Sequence, residues 1–239
     1  MTPRQSSSLP PPPLASLAPP PVIDPEEMRR ITEVYDRLNR IDHYTLLGVS
    51  ATADGKDIKR AYYALAKQHH PDRFFRKEVG AIAPKVEAIF RALTRAHDAL
   101  TDAEARAGYD AYLREALKTR IYRRNAAAFE ARGEWSAAAE MWSRVVESLP
   151  ADAYVHHRLA YALLRARSGF EAAIEAAVRA IELDPTRAEY RLTAVSLYLA
   201  TGLERNALAE LEIALELEPD RIDIAGLHAA VAERCSKGA

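Results

Sequence analysis

One cysteine, Cys235, is all that this chain of 239 residues carries. An internal disulfide framework is therefore excluded, and the composition fits a reducing compartment such as the cytoplasm. An excess of charge is also missing. Lys and Arg number 33 against 34 Asp and Glu, a formal net charge of −1, so bulk nucleic-acid binding is not expected. No apolar run approaches the ~18 residues that a membrane-spanning helix needs, and the N-terminus lacks the basic-then-apolar order of a secretory signal. There is no glycine-rich phosphate loop and no Gly-x-Ser-x-Gly elbow. The histidine pairs His69-His70 and His156-His157 are adjacent, which is not the i, i+4 spacing of a helical metal site. No metal, cofactor or enzymatic activity is expected. At 49% hydrophobic residues the chain has material for real cores.

Residues 1–23 hold Pro10-Pro11-Pro12-Pro13 and Pro19-Pro20-Pro21 among Ser, Ala and Leu. Such a segment builds no core and is expected to be disordered or polyproline-like, a solvated tail rather than a ligand for a proline-binding module. Asp24-Pro25-Glu26-Glu27 opens a helix: a capping side chain, Pro in the first turn and acids at the positive end of the dipole. Ile31, Val34, Tyr35 and Leu38 continue it at helical spacing. Residues 24–41 thus predict an extra N-terminal helix that packs on the region beginning at residue 42.

The most telling tripeptide is His70-Pro71-Asp72. It ends a basic helix predicted over Gly55–His69, with Asp54 as cap. Pro71 cannot continue a helix, and it biases His70 away from helical angles. His70 and Asp72 are left at the start of an exposed loop. Before this helix a short one, Tyr44–Leu47, stops at Gly48. After it a third covers Pro84–Leu100, and a fourth begins near Thr101-Asp102. Ile58, Ala61, Tyr62, Leu65 and Ala66 form one apolar face, and Val86, Ile89, Phe90, Leu93, Ala96 and Leu100 another. Two such stripes joined by a loop predict an antiparallel hairpin. Phe74-Phe75 is expected to tuck back onto that hairpin.

From Tyr44-Thr45-Leu46-Leu47-Gly48-Val49 through His70-Pro71-Asp72 to Arg106-Ala107-Gly108-Tyr109-Asp110, residues 42–113 resemble the J domain of the DnaJ family. The resemblance implies docking onto a DnaK-type ATPase chaperone, whose ATP hydrolysis the loop stimulates so that its client is trapped. His70, Pro71 and Asp72 would be the trigger. Lys56, Lys59, Arg60, Lys67 and Arg73 would form the docking face. Residues 56–77 carry seven Lys or Arg against two Asp, +7 − 2 = +5, a local patch able to steer an acidic partner. His69 stands where the family usually has Tyr, Tyr63 where it often has a basic residue, and Ala105 where a Lys is common.

The second half repeats. Gly133, Ala138, Trp142 and Pro150 are separated by five, four and eight residues, and so are Gly202, Ala207, Leu211 and Pro219. Ala173, Ala177 and Pro185 keep the last two spacings, with Gly169 displaced by one. The period near 34, with small residues at helix contacts, resembles tetratricopeptide repeats. Three repeats fit at 119–152, 153–187 and 188–221, and Ile222–Arg234 would be a capping helix with a tail to residue 239. The predicted architecture is all-α, a J-domain hairpin followed by a tetratricopeptide-repeat α-solenoid. Such arrays bind a client or partner protein, for which Arg123, Arg124, Arg158 and Arg191 are the candidate groove contacts. With Asn125 as the only Asn in the first helices of the repeats, the clamp for an acidic chaperone tail is not reproduced. Tyr122, Tyr154, Tyr161, Tyr190 and Tyr198 fit groove or core equally. No Pro or Gly interrupts Tyr109–Arg132, which predicts either one unbroken helix or a bend near Lys118-Thr119-Arg120.

The chain thus reads as a non-enzymatic co-chaperone, the alternative being a J-like scaffold or adaptor that does not stimulate ATPase. Neither nucleic acid nor a membrane is an expected partner.

Overall fold

The computed structural model describes residues 23–74 and 80–237, and these are helical with no strand. The Pro-rich segment expected to be a solvated tail lies outside the described residues except at Ile23, as do Phe75, Arg76 and Lys77. The chain divides into two compact units, Met1–Asp110 and Ala111–Ala239.

In the first unit, α1 (Pro25–Arg37) is capped by Asp24, whose carboxylate accepts the Glu26 N–H at 3.1 Å. Its buried Ile31 packs against α4 (Ala83–Thr101). Lys85 of α4 donates to Thr32 at 3.3 Å and lies 5.5 Å from the Tyr35 ring. Helix α2 (His43–Leu47) ends at Gly48, whose φ of 67° is the left-handed conformation that stops a helix. Helix α3 (Gly55–His69) begins at Asp54, which accepts from the N–H groups of Lys56 and Asp57. α3 and α4 form the expected hairpin, closed by Ile58, Val86, Ile89, Leu93 and Leu100, each at most 2% exposed. Between them, Pro71–Phe74 forms a tight 3-10 turn rather than an open loop, and Phe74 is buried. A second such turn, Gly80–Ile82, precedes α4, so α4 is not extended back through residues 80–82.

Helix α5 (Ala103–Ala131) starts under Asp102, whose carboxylate accepts the Ala105 N–H at 2.8 Å. It is unbroken. Thr119 does not cap a new helix; its hydroxyl donates to the Glu115 carbonyl one turn back. In the first unit the start of α5 is tied to α2. Tyr44 donates to Asp110 at 2.7 Å, Arg106 donates to Tyr44 and to the carbonyls of Ala51 and Ala53, and the Tyr109 hydroxyl accepts the His43 N–H at 2.8 Å.

The second unit is a stack of helix pairs: α6 (Trp135–Ser148) on α7 (Ala153–Ala166), α7 on α8 (Phe170–Leu183), α8 on α9 (Ala188–Ala200) and α9 on α10 (Glu204–Leu217), with α11 (Ile222–Lys237) against α10. The final helix runs three residues beyond the predicted Arg234. Ala126, Ala138, Ala160, Ala173, Ala180, Ala207 and Ala214 are fully buried, which is why the repeat keeps them: a methyl group lets the backbones approach. The extra residue of the second repeat sits at the α7–α8 turn, where Arg167 adopts φ 52°.

Candidate functional site

The hairpin leaves both its end and one face of α3 to solvent. His70 closes α3 with extended angles, φ −66° and ψ 130°, as the following proline requires. Its side chain is 46% exposed, and that of Asp72 is 86% exposed. The turn is held by short-range contacts. The Asp72 N–H donates to His70 Nδ1 at 3.2 Å, which places the lone pair on Nδ1 and the proton of a neutral ring on Nε2. The Asp72 carboxylate is 3.5 Å from the same nitrogen, too far to displace that bond. The ring stands edge-on to Phe90 of α4, centroids 5.0 Å apart. The His70 carbonyl accepts the Arg73 N–H at 3.1 Å. A solvent-facing carboxylate on a compact turn is an acceptor that a cationic group can reach without rearranging the fold.

Lys56, Lys59, Arg60 and Lys67 are exposed on α3, and the last three lie three, four and eleven residues beyond Lys56, so they share a face. Arg60 is partly neutralised by Asp57 at 2.7 Å. At the centre of this face Tyr63 is 66% exposed and leans on Tyr62. Arg73 is oriented differently from the four. Its guanidinium donates to the Gln68 carbonyl at 2.7 Å and meets Glu27 of α1 at 2.8 Å. Arg76 and Lys77, which contribute to the charge of +5, lie outside the described residues.

His69 is half-buried and its Nδ1 has no hydrogen-bond partner. Burial and the neighbouring Arg73 hold its pKa below the usual histidine value, against the opposing pull of Glu27. A cleft of about 480 Å³ runs beside it, lined among others by Glu27, Ile31, Leu65, Arg73 and Phe74. Glu27 and Phe90 are the residues at the turn that sequence reasoning passed over. In sequence Phe90 reads as hairpin core, and Glu27 only as the start of a helix.

In the second unit the four candidate arginines separate. Arg123 and Arg124 are exposed, and Arg123 lines a cleft of about 460 Å³ with Tyr112, Thr119, Arg120, Ser148 and Leu149. Arg158 is bound to Glu130, which also accepts from the Trp142 indole N–H at 2.7 Å, and it lies among the rings of Trp142, Tyr154 and Tyr161. Arg191 is buried, paired with Glu210 at 2.6 Å and donating to the Pro185 carbonyl. It is spent on the interior, which leaves it unavailable as a groove contact. The tyrosines divide likewise: Tyr190 and Tyr198 are core, while Tyr154 is 46% exposed. His156 bonds to the Pro150 carbonyl and His157 to Thr193.

The family model for the DnaJ domain matches residues 42–110. Over 89 residues the chain is 40% identical to the DnaJ homolog l(2)tid, mitochondrial, of Drosophila melanogaster, covering 37% of this chain and 16% of that protein. Over 71 residues it is 45% identical to the chaperone protein DnaJ of Thermosynechococcus vestitus, covering 30% and 17%. The similarity thus spans less than a fifth of those relatives. Among solved structures, the first TPR of Spaghetti (RPAP3) bound to an HSP90 peptide aligns with a TM-score of 0.47 and 16% identity, covering 50% of this chain and 94% of that one. The TPR2B domain of yeast Sti1 in complex with an Hsp70 peptide aligns at 0.45 and 22%, covering 49% and 98%. The repeat architecture of the second unit rests on its own period and helix pairing. The likeness to the DnaJ family model lies within the first unit, over residues 42–110.

Proposed function

We propose that this protein is a non-enzymatic co-chaperone. Its His70-Pro71-Asp72 turn stimulates the ATPase of a DnaK-type chaperone, and its helical repeats hold a client or partner protein. The observation that carries this reading is the exposed trigger. Asp72, 86% exposed, is the most accessible charged group of the turn, ahead of Arg73 at 47%. Lys56, Lys59, Arg60 and Lys67 supply the field that brings an acidic partner surface to the turn, and Asp72 then engages a basic group on the partner. No bond chemistry falls to this chain. The repeats contribute Arg123, Arg124 and the ring-lined Arg158 as the available polar contacts. Nucleic acid and membrane are not among the proposed partners, and the proposed location is the cytoplasm.

A scaffold that binds the chaperone without stimulating it is the second reading. It is favoured by Tyr63, which interrupts the basic face, and by Arg73, which is partly neutralised by Glu27. A single-turnover ATPase measurement with a DnaK-type partner separates the two. The co-chaperone reading expects stimulation by the full chain and none by Asp72→Asn. Equal rates with and without the chain would leave the scaffold.

A further inference from the structure

Helix α1 lies outside the matched DnaJ segment, yet one of its side chains reaches the trigger. Arg73 follows Asp72 directly. Its backbone N–H bonds the His70 carbonyl, its guanidinium bonds the Gln68 carbonyl in the last turn of α3, and the same guanidinium pairs with Glu27 at 2.8 Å. The Glu27 carboxylate is only 16% exposed, so this charge-assisted pair is screened far less than one between two open side chains. Next to it Phe74 is buried and Ile31 of α1 is buried, both on the cleft that holds His69. The turn is therefore clasped on two sides: by Phe90 behind His70 and by α1 behind Arg73.

We infer that Glu27 is a positioning residue for the trigger: through Arg73, α1 sets the shape of the His70–Asp72 turn before the chaperone arrives. The benefit is order gained in advance. Pro71 restrains one dihedral angle, and the turn has few other internal hydrogen bonds. An unclasped arginine on an exposed turn samples many rotamers, and ordering it at docking costs free energy that a preformed pair has already met. Glu27 also draws Arg73 away from Asp72, which leaves the Asp72 carboxylate open to a cationic group on the partner. The inference rests on the co-chaperone reading of the turn.

The test is a titration of a DnaK-type chaperone with the full chain under single-turnover conditions. Wild type is compared with Glu27→Gln, Arg73→Gln, the double variant and Glu26→Gln, all below their melting midpoints. Loss of Glu27 is expected to lower the saturating rate by about fivefold, because a misplaced trigger costs turnover rather than encounter. The half-saturating concentration should stay within about twofold. Arg73→Gln should match it, the double variant should be no worse than either, and Glu26→Gln, whose partner is the exposed Arg29, should behave as wild type. An unchanged saturating rate, a rise in it, or a change confined to the half-saturating concentration would overturn the inference. A second readout needs no chaperone. The backbone amide resonances of Asp72 and Arg73 should shift in Glu27→Gln and not in Glu26→Gln. If wild type stimulates nothing, the co-chaperone reading fails; if wild type stimulates and these resonances and rates ignore Glu27, only the positioning role fails.

Discussion

The two units place their polar residues in opposite ways. In the first, the core is mainly large aliphatic side chains with Tyr44, Phe74 and three alanines, and the charged groups of α3 and the turn stand outside it. In the second, the core is dominated by alanine, and every buried polar or charged residue among those described belongs to it: Thr119, His156, His157, Arg191 and Thr193. Each of them has a hydrogen-bond partner in reach, as a polar side chain in a close-packed interior requires. An arginine therefore means different things in the two halves. On α3 it is a surface charge with little structural reason to be there; between α9 and α10 it is mortar. The same residue type reads as function in one unit and as architecture in the other.

That contrast is open to breaking, most sharply at the turn. His70→Gln or Asp72→Asn should abolish ATPase stimulation and leave the melting temperature nearly unchanged, because both side chains are about half exposed or more. A variant that stimulates like wild type would show that the turn is not the trigger. Arg191→Ala should do the reverse. Leaving Glu210 without its buried partner should cost about 3 kcal/mol of stability, read by denaturant titration, while stimulation by the folded fraction is kept. A loss near zero would return Arg191 to the candidates for the groove.

Smaller effects sharpen the comparison. Lys59→Glu combined with Arg60→Glu should slow association with the chaperone roughly tenfold at low salt, and added salt should close the gap. A salt-independent difference would mean a contact rather than a field. Acid should weaken both units. Burial is the first cause that holds His43, His69 and His157 below the usual histidine value. Their folded pKa values lie under the unfolded one of about 6.5, so the unfolded chain binds more protons. The stability is full above that pH and declines as pH falls through it. In His157→Gln, hydrogen-exchange protection of α7 and α9 should lose part of this slope while α3 and α4 keep theirs. An unchanged slope in α7 would assign the acid sensitivity elsewhere. The smallest effect belongs to Arg167. Replacing it with glycine relieves a left-handed backbone worth about 1 kcal/mol, partly offset by the freedom that glycine gains when unfolded. A loss of stability would show that the Arg167 side chain matters more than its backbone.

Much of the fold was legible in the sequence alone. Asp54 and Asp102 announce helix starts because capping is local: a carboxylate two or three residues ahead of free N–H groups needs no distant partner. Pro71 ends α3 for the same kind of reason. The spacing of Ala138, Ala173 and Ala207 shows the helix pairs, since each repeat solves one packing problem alike. Which polar side chains remain available was not legible. Arg158 and Arg191 look alike in sequence. Their fates depend on Glu130 and Glu210, which lie 28 and 19 residues away along the chain.

The sequence by itself determined most of the elements: the capped starts of α1, α3 and α5, the stops at Gly48 and Pro71, the hairpin faces, the repeat period, and the tripeptide at the tip of α3. Those rest on interactions within a few residues or on a regular pattern. Only the tertiary structure decided that Arg73 turns toward Glu27, that Phe90 backs His70, and that Arg191 is interior. Each of these depends on two segments meeting in space, and nothing in the local preferences of either segment contains the other.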